Sequence, residues 1–160
     1  AGGGVCGRGE PGVTNKEFVL TVFRENGRAD ALSLRSRAAD MDGTAIIAEE
    51  QKIPAWDPQK DYSGWPAGAP VVHDGNVFGL LQPHNASYYM AAPADLPALW
   101  SPKHTKDPAK AKPYLPPNGT SGLYNTDECC LFEGAVKRSL RDNNPYSPGD
   151  YPDWWEDVAV

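Results

Sequence analysis

The sequence predicts a mainly β protein: two small tandem β modules, built from short antiparallel hairpins and preceded by short N-terminal α-helices. Two observations lead to this fold class. The 160 residues include 16 glycines and 16 prolines, which divide the chain into short elements separated by turns. The pattern Asp-x-Pro-x-x-Trp also occurs twice, at Asp95–Trp100 and at Asp150–Trp155. A repeated closing motif of this kind indicates two copies of one folding unit.

The first third of the chain differs in composition from the rest. Residues 1–13 are rich in glycine and are predicted to form a flexible head. Residues 14–53 are predicted to be a helical segment for assembly or attachment. In that segment Thr14 and Glu17 have the spacing of a capping box in front of the apolar run 18–23, which predicts a short helix there.

Two further short helices are expected before the repeated region. One covers 29–40, where apolar residues form a loose stripe, and the next begins at a cap provided by Thr44. Such helices bury too little apolar surface to fold alone in water. Either the following module or other copies of the chain should therefore cover them.

The repeated region divides into a first β module at 54–102, a Pro/Lys-rich linker at 103–117 and a second β module at 118–160. When Gly75 is aligned with Gly134, the apolar positions on both sides match without a gap. In each copy a strand meets a glycine-containing turn and returns as a second strand. This order predicts one β-hairpin in each module.

The charge and hydropathy of the chain exclude two classes of partner. The net charge is −6 and the pI is about 5.0, with no stripe of lysine and arginine, so we expect no nucleic-acid surface. No apolar run approaches the roughly 20 residues that span a membrane, so we expect no membrane partner. The first residues also lack the apolar region of a signal peptide.

The repeated region resembles a known family of small domains. The motifs are a Tyr-x-x-Asp, an apolar pair, Gly-x-Val, a later Leu, Asp-Asn-Asn, Ser-Pro and a closing Pro-x-x-Trp. Over roughly 54–157 they are similar to the chitin-binding-like carbohydrate-binding modules of families five and twelve, relatives of which occur in phage and prophage tail or fibre proteins. In the second copy the matching residues are Tyr124, Asp127, Gly134, Val136, Leu140, Asp142, Asn143, Asn144, Ser147, Pro148 and Trp155.

The first copy carries the resemblance on Trp56, Tyr62, Gly68, Val71, Gly75, Val77, Phe78 and Trp100. The two copies also depart from the family pattern in different ways. The first has an insertion that contains Tyr88 and Tyr89, whereas the second has Lys137 where the family places an aromatic residue. The second copy also lacks an opening tryptophan before Tyr124. The two modules therefore need not share one ligand-binding role.

The resemblance implies that exposed aromatic rings bind sugar, because the C–H face of a pyranose packs on a flat π-system. The candidate carbohydrate-binding residues are Trp65, Tyr88, Tyr89, Tyr146, Tyr151 and Trp154. For each of them the alternative is a place in the core or in a protein interface. The aromatic residues at the repeated or family positions are expected in the core: Trp56, Tyr62, Trp100, Tyr124 and Trp155.

The sequence offers little support for catalysis or metal binding. No nucleophile motif frames its serines, and its three histidines lack the spacing of metal ligands, so we expect no catalytic residue, no metal and no cofactor. Cys129 and Cys130 are adjacent. In a strand they would face opposite sides, which makes one of them a small buried residue, and a vicinal disulfide is the alternative.

These observations and the resemblance together lead to a functional expectation. The chain is expected to be a non-catalytic phage or prophage virion protein, as a fibre, tail or head decoration, that binds surface glycans of a bacterial host. Its location would be the virion or the extracellular space. Its other partners would be further virion proteins and copies of itself, with a trimer favoured. The alternatives are a purely structural decoration protein and an accessory module of a secreted glycoside hydrolase.

Overall fold

A computed structural model describes residues 28–160, and the expected glycine-rich head and the expected helix over 18–23 lie outside these residues. The described chain forms two β-sheets, one of three strands and one of four, together with short helices. The predicted β-sheets and short helices are confirmed, but helices and strands occupy similar shares of the described residues, so the fold is mixed rather than mainly β. In the described part of the chain, no helix is long and apolar enough to cross a membrane.

The first sheet consists of β1 (Pro70–His73), β2 (Asn76–Leu80) and β3 (Trp100–Lys103), in the order β1-β2-β3 with antiparallel pairing. The predicted hairpin turn is present at Asp74 and Gly75, whose φ angles are 50° and 79°. Positive φ at both central positions matches the right-handed twist of the flanking strands, which is why Asp-Gly is favoured here.

The two faces of the first sheet carry different layers. One face packs against Tyr62 in a cluster with Val71, Phe78, Leu80 and Trp100. Val77 points to the other face and packs against the helical segment. The sheet is therefore covered on both sides, which explains why every residue of β2 is buried.

The helical segment covers the first sheet. Helix α1 occupies 28–37 of the described residues, and α2 spans Gly43–Ala48. Leu34, Ile46 and Ile47 are fully buried against Val77, so the first sheet provides the cover that these helices need.

The cap of α2 differs from the one expected. The Asp42 carboxylate accepts a hydrogen bond from the Ala45 N–H at 2.8 Å, so Asp42 and not Thr44 is the N-cap. The Thr44 hydroxyl instead accepts a hydrogen bond from the Lys106 N–H at 2.9 Å. Thr44 thus ties the helix to the chain that leaves β3.

The second sheet contains β4 (Lys112–Pro113), β5 (Cys129–Phe132), β6 (Ala135–Ser139) and β7 (Trp155–Val158), in the order β4-β5-β6-β7. Strand β4 pairs parallel to β5, and the other pairs are antiparallel. The buried cluster of the second sheet consists of Tyr124, Cys130 and Trp155. The hairpin turn between β5 and β6 again has two positive φ angles, 51° at Glu133 and 82° at Gly134.

The segment 103–117 differs from the solvated linker expected from the sequence. Lys103 ends β3, and β4 belongs to the second sheet. The Cys129 N–H donates to the Thr105 carbonyl at 2.7 Å, and the Tyr114 N–H donates to the Leu131 carbonyl at 2.8 Å. These backbone groups are paired with β5, so the segment is part of the fold despite its prolines and lysines.

His104 joins the helical segment to the second sheet. Its ring stacks on Tyr124 with centroids 3.7 Å apart, and its Nε2 hydrogen-bonds the Gly122 carbonyl at 2.9 Å. On the other side α2 lies against its backbone, since a Cβ added to Gly43 would come within 2.2 Å of the His104 carbonyl oxygen. The first residue of α2 therefore has to be glycine.

Both cysteines of β5 are buried free thiols, whereas the sequence indicated one buried residue of the pair. Cys130 faces Tyr124 in the core. Cys129 faces the other side. Its partner in an isolated antiparallel β-bridge is Thr105, which is also buried. The two thiols are thus buried on opposite faces of β5.

A candidate aromatic binding site

Three of the predicted site residues come together in the second half of the chain. Tyr146 and Tyr151 stack with centroids 5.1 Å apart. The Trp154 ring meets Tyr146 at 5.2 Å and Tyr151 at 5.4 Å, both times near the perpendicular. We call Tyr146, Tyr151 and Trp154 the aromatic cluster. Each tyrosine keeps 43% of its surface exposed, while Trp154 is half-buried beneath them against the core of the second sheet.

A buried polar network holds the first of these rings in place. The Tyr146 N–H donates to the side-chain oxygen of Asn144 at 3.0 Å. Asn144 is fully buried, and its side-chain amide donates to the Ser139 hydroxyl at 3.1 Å. That hydroxyl also donates to the Arg141 carbonyl at 2.8 Å. The chain around Tyr146 is thus fixed by β6 rather than by its own loop.

The other two rings are set by a short turn. The 3-10 turn Pro152–Trp154 places Trp154 directly before β7. The Leu140 N–H donates a hydrogen bond to the Trp154 carbonyl at 2.9 Å. The Tyr151 N–H donates to the Ser147 carbonyl at 3.0 Å, which closes the loop between the two tyrosines. The cluster therefore rests on a loop whose backbone groups are largely satisfied.

Arg141 is a member of this site that the sequence analysis missed. Its guanidinium carbon lies 4.7 Å from the centroid of the Trp154 ring, within the range of a cation–π contact. The sequence shows only a basic residue after the strand AVKRSL, and nothing in the pattern links it to a tryptophan 13 positions later. The contact depends on the fold bringing the ends of β6 and of the turn together.

This arrangement suits a ligand with apolar faces and polar edges. Exposed tyrosine rings offer flat π surfaces and phenolic hydroxyls, and the guanidinium offers several N–H donors beside them. Arg141 is exposed, so it remains free to hydrogen-bond a ligand oxygen while its charge lies over the Trp154 ring. A pyranose has this combination of a C–H face and hydroxyl rim.

Trp65 lies in a different environment from the aromatic cluster. The Arg35 guanidinium of α1 sits 3.7 Å from the centroid of its ring, and the Lys60 ammonium lies at 5.5 Å. Tyr62 meets the ring edge-to-face at 4.8 Å. Because a helix residue covers the ring, Trp65 fixes the helical segment to the first sheet.

Tyr88 ends the short turn Ala86–Tyr88, and Tyr89 follows it directly. Within the described residues, neither ring makes a close contact with the Trp65 ring. Tyr88 is 80% exposed. Tyr89 instead leans edge-on against His84, with centroids 5.5 Å apart. Around the first sheet, the covered Trp65 ring and the exposed Tyr88 ring thus lie apart, and the candidate residues form no counterpart of the aromatic cluster.

A polar cleft of about 280 Å³ lies where the helical segment and the two sheets meet. Lys103, His104, Asn125, Glu128 and Asn143 line it. Burial raises the pKa of Glu128, although the Asn125 N–H donates to its carboxylate at 2.7 Å. Glu128 is the only carboxylate among the lining residues. Within the part of the chain that is described, no group of three or more histidine, cysteine or acidic side chains could hold a metal ion.

Comparison with known proteins adds no family. No family model matches the chain, and no curated protein matches it either.

Proposed function

We propose that this chain is a non-catalytic phage or prophage virion protein, a fibre, tail or head decoration, whose tandem β modules face outward toward the surface glycans of a bacterial host. The aromatic cluster carries the proposal. Three aromatic rings and a guanidinium meet on a loop that is anchored by buried hydrogen bonds. A partly exposed aromatic surface that is held in place before binding supports the stacking of a sugar.

The proposal includes two copies of one unit, and matching turns support that part. Asp74 and Gly75 have φ angles of 50° and 79°, while Glu133 and Gly134 have 51° and 82°. After the second strand of each hairpin, the Leu81 N–H donates to the Leu99 carbonyl at 2.7 Å and the Leu140 N–H donates to the Trp154 carbonyl at 2.9 Å. In the same pairing, Trp100 of β3 corresponds to Trp155 of β7.

The opening of each unit supports the pairing as well. The Trp56 N–H donates to the Val72 carbonyl, and the Tyr114 N–H donates to the Leu131 carbonyl, both at 2.8 Å. Tyr114 thus takes the place of the opening tryptophan that the second copy lacks. In this pairing the second unit begins at β4, several residues before the boundary expected at 118.

The pairing also makes the two copies unequal in their ligand surfaces. Trp154 corresponds to Leu99, and Tyr146 corresponds to Ser87, so the first copy has no aromatic cluster. In the first copy the covered Trp65 ring serves the packing of α1. We therefore assign glycan binding to the second copy and attachment of the helical segment to the first.

Affinity electrophoresis tests the proposal. The full chain is run through gels that contain glycol chitin or bacterial surface polysaccharides, and retardation by at least one of them is expected. Tyr151→Ala should weaken the interaction roughly tenfold, because it removes one stacking ring from a surface position. Leu131→Ala is the matched control, since Leu131 is a similarly exposed apolar residue (41%) on the second sheet.

Three results would contradict this assignment. The sugar-binding part fails if no polysaccharide retards the chain. The assignment to the second copy fails if Tyr88→Ala abolishes retardation and Tyr151→Ala leaves it intact. An unfolded Tyr151→Ala variant would place that ring in the core, and circular dichroism detects this directly.

A purely structural decoration protein is the second candidate, and one feature favours it. Tyr88 and Met90 are 80% and 103% exposed, within a loop of the first copy that has no equivalent in the second. Exposed aromatic and methionine side chains are typical anchors of protein interfaces. Protection of Tyr88 from solvent in an assembled particle, with no glycan binding, would favour this candidate.

A further inference from the structure

A groove runs along the second sheet on the side of its buried cluster. Two adjoining clefts of about 350 Å³ and 310 Å³ share Lys137 and Pro148. Their remaining walls are mainly Phe132, Ala135, Pro152 and Trp155, with Glu133 and Asp157 at the rim. We call this the Pro148 groove. It is distinct from the aromatic cluster, whose rings line neither cleft.

The corresponding face of the first sheet is covered by a segment of the same chain. Leu115 packs against the cluster that contains Phe78 and Trp100. At the hairpin end, a Cβ on Gly75 would lie 3.2 Å from Pro113. Farther along, a Cβ on Gly122 would lie 3.0 Å from Pro102. Pro113, Leu115 and Gly122, all within the segment 113–122, therefore contact this face.

The second sheet lacks such a cover within the described residues. A Cβ on Gly134, which corresponds to Gly75, would meet no atom within 4 Å. The residues at the floor of this face also differ between the two sheets. In the covered first sheet Phe78 and Pro102 form an apolar cross-strand pair. In the open second sheet the corresponding residues, Lys137 and Asp157, form an ion pair. The same face of the fold is thus closed in one copy and open in the other.

We propose that the Pro148 groove docks an extended, proline-containing peptide segment of another polypeptide, of the kind that the stretch with Pro113 and Leu115 provides for the first sheet. The inference rests on the proposed pairing of the two copies, and it does not depend on glycan binding. The chain itself supplies the precedent for the occupant, because its own segment with Pro113 and Leu115 occupies the equivalent face. Prolines suit this role, since an extended segment that contains them loses little entropy on docking.

Charge favours a basic residue beside the prolines of the occupant. Lys137 is neutralised by Asp157, whereas Glu133 makes no ion pair with any described residue. The groove therefore has an unpaired negative charge at its turn end. In the covering segment of the first copy, Lys112 directly precedes Pro113 and pairs with Glu50. A Lys-Pro-x-Leu sequence combines both properties.

The probe is a fluorescein-labelled peptide with the sequence of residues 111–122, titrated with the full chain and followed by anisotropy. Saturable binding is expected. Ala135→Trp should weaken it at least tenfold by filling the groove, and Lys137→Phe should strengthen it roughly fivefold by restoring the apolar floor of the first copy. Leu131→Trp is the matched control, because it adds the same ring to the opposite face of the same hairpin.

Nuclear magnetic resonance with the ¹⁵N-labelled chain locates the peptide. Shift changes should centre on Phe132, Lys137 and Gly149. The proposal is overturned if the peptide does not bind, if Ala135→Trp leaves its affinity unchanged, or if the shifts centre on the aromatic cluster. A soluble glycan that binds in the groove and displaces the peptide would also overturn it. Glycan retardation is measured separately, so loss of one activity does not imply loss of the other.

Discussion

The indole N–H of Trp155 donates a hydrogen bond to the carbonyl oxygen of Tyr146 at 3.0 Å. This bond links the buried cluster of the second sheet to the first ring of the aromatic cluster. Trp100, the corresponding tryptophan of the first sheet, is fully buried, but its indole nitrogen has no hydrogen-bond partner among residues 28–160. The two closing tryptophans therefore occupy similar positions with different polar environments.

Replacing each tryptophan by phenylalanine should reveal this difference. Trp155→Phe removes a hydrogen bond and leaves the Tyr146 carbonyl without its donor, whereas Trp100→Phe removes a buried donor that has no partner. We expect Trp155→Phe to lower the free energy of unfolding by about 1–2 kcal/mol more than Trp100→Phe. Urea denaturation of both variants measures the difference. Equal losses would show that the bond contributes nothing beyond packing.

A second matched pair tests the polar anchor of the aromatic cluster. Asn144 is fully buried and bonded to Ser139 and to the Tyr146 N–H, while Asn85, its counterpart, is partly exposed and bonds within its own turn to Ser87. Asn144→Ala should cost about 2–3 kcal/mol of unfolding free energy, because it leaves buried groups unpaired.

Asn85→Ala should cost about 1 kcal/mol, as expected for a lost turn cap. Thermal or urea unfolding of the two variants provides the comparison. The anchor interpretation also predicts faster backbone motion at Tyr146 in Asn144→Ala, measured by ¹⁵N relaxation. An Asn144→Ala protein as stable as the wild type would contradict it.

The sequence predicted the features that depend on local chemistry. Asp74 and Gly75 form the expected turn because few other residues accept positive φ at both positions. The buried positions of Tyr62 and Trp100 followed from the repeat and are confirmed. These predictions needed only the chain near each residue.

The features that the sequence did not predict depend on contacts between distant segments. Arg35 covers Trp65 only because α1 packs on the first sheet, and β4 forms only because β5 offers it an edge. A stretch with many prolines and lysines has the composition of a linker, and its composition does not reveal a partner strand. Arg141 could not be predicted as part of the candidate site for the same reason, because its contact with Trp154 depends on the fold.

The stability of the protein should fall below about pH 6.5 because of His104. Burial lowers the pKa of His104 to about 4, with the nearby Lys103 charge acting in the same direction. Between that value and the unfolded pKa of about 6.5, the unfolded chain binds a proton that the folded chain does not. Unfolding free energy is therefore lost as the pH falls through this window, by about 3 kcal/mol at its lower end.

Urea denaturation at intervals from pH 7 to pH 4 measures this loss. His104→Gln is the matched variant, because it keeps a side-chain donor for the Gly122 carbonyl without a titrating ring. Its profile should be flatter over the same range. Hydrogen bonds from Arg37 and Lys52 lower the pKa of Glu49 to about 2, so Glu49 adds its own loss of stability below about pH 5. This loss is common to both proteins and cancels in their comparison. Parallel profiles for the two proteins would mean that His104 is not the group responsible.

The thiols of β5 should be unreactive in the folded protein. Burial, with the adjacent Cys129 contributing, raises the pKa of Cys130 to about 12, and burial also raises the pKa of Cys129. Since the thiolate is the reactive form, Cys130 in a Cys6→Ser chain should react with a thiol reagent at pH 8 roughly 1,000-fold more slowly than free cysteine. Cys129 should also react more slowly than free cysteine, and both thiols should react in urea. Ser63→Cys, at an exposed turn, is the positive control. Fast native labelling, or a mass lower by two hydrogens from a vicinal disulfide, would contradict this assignment.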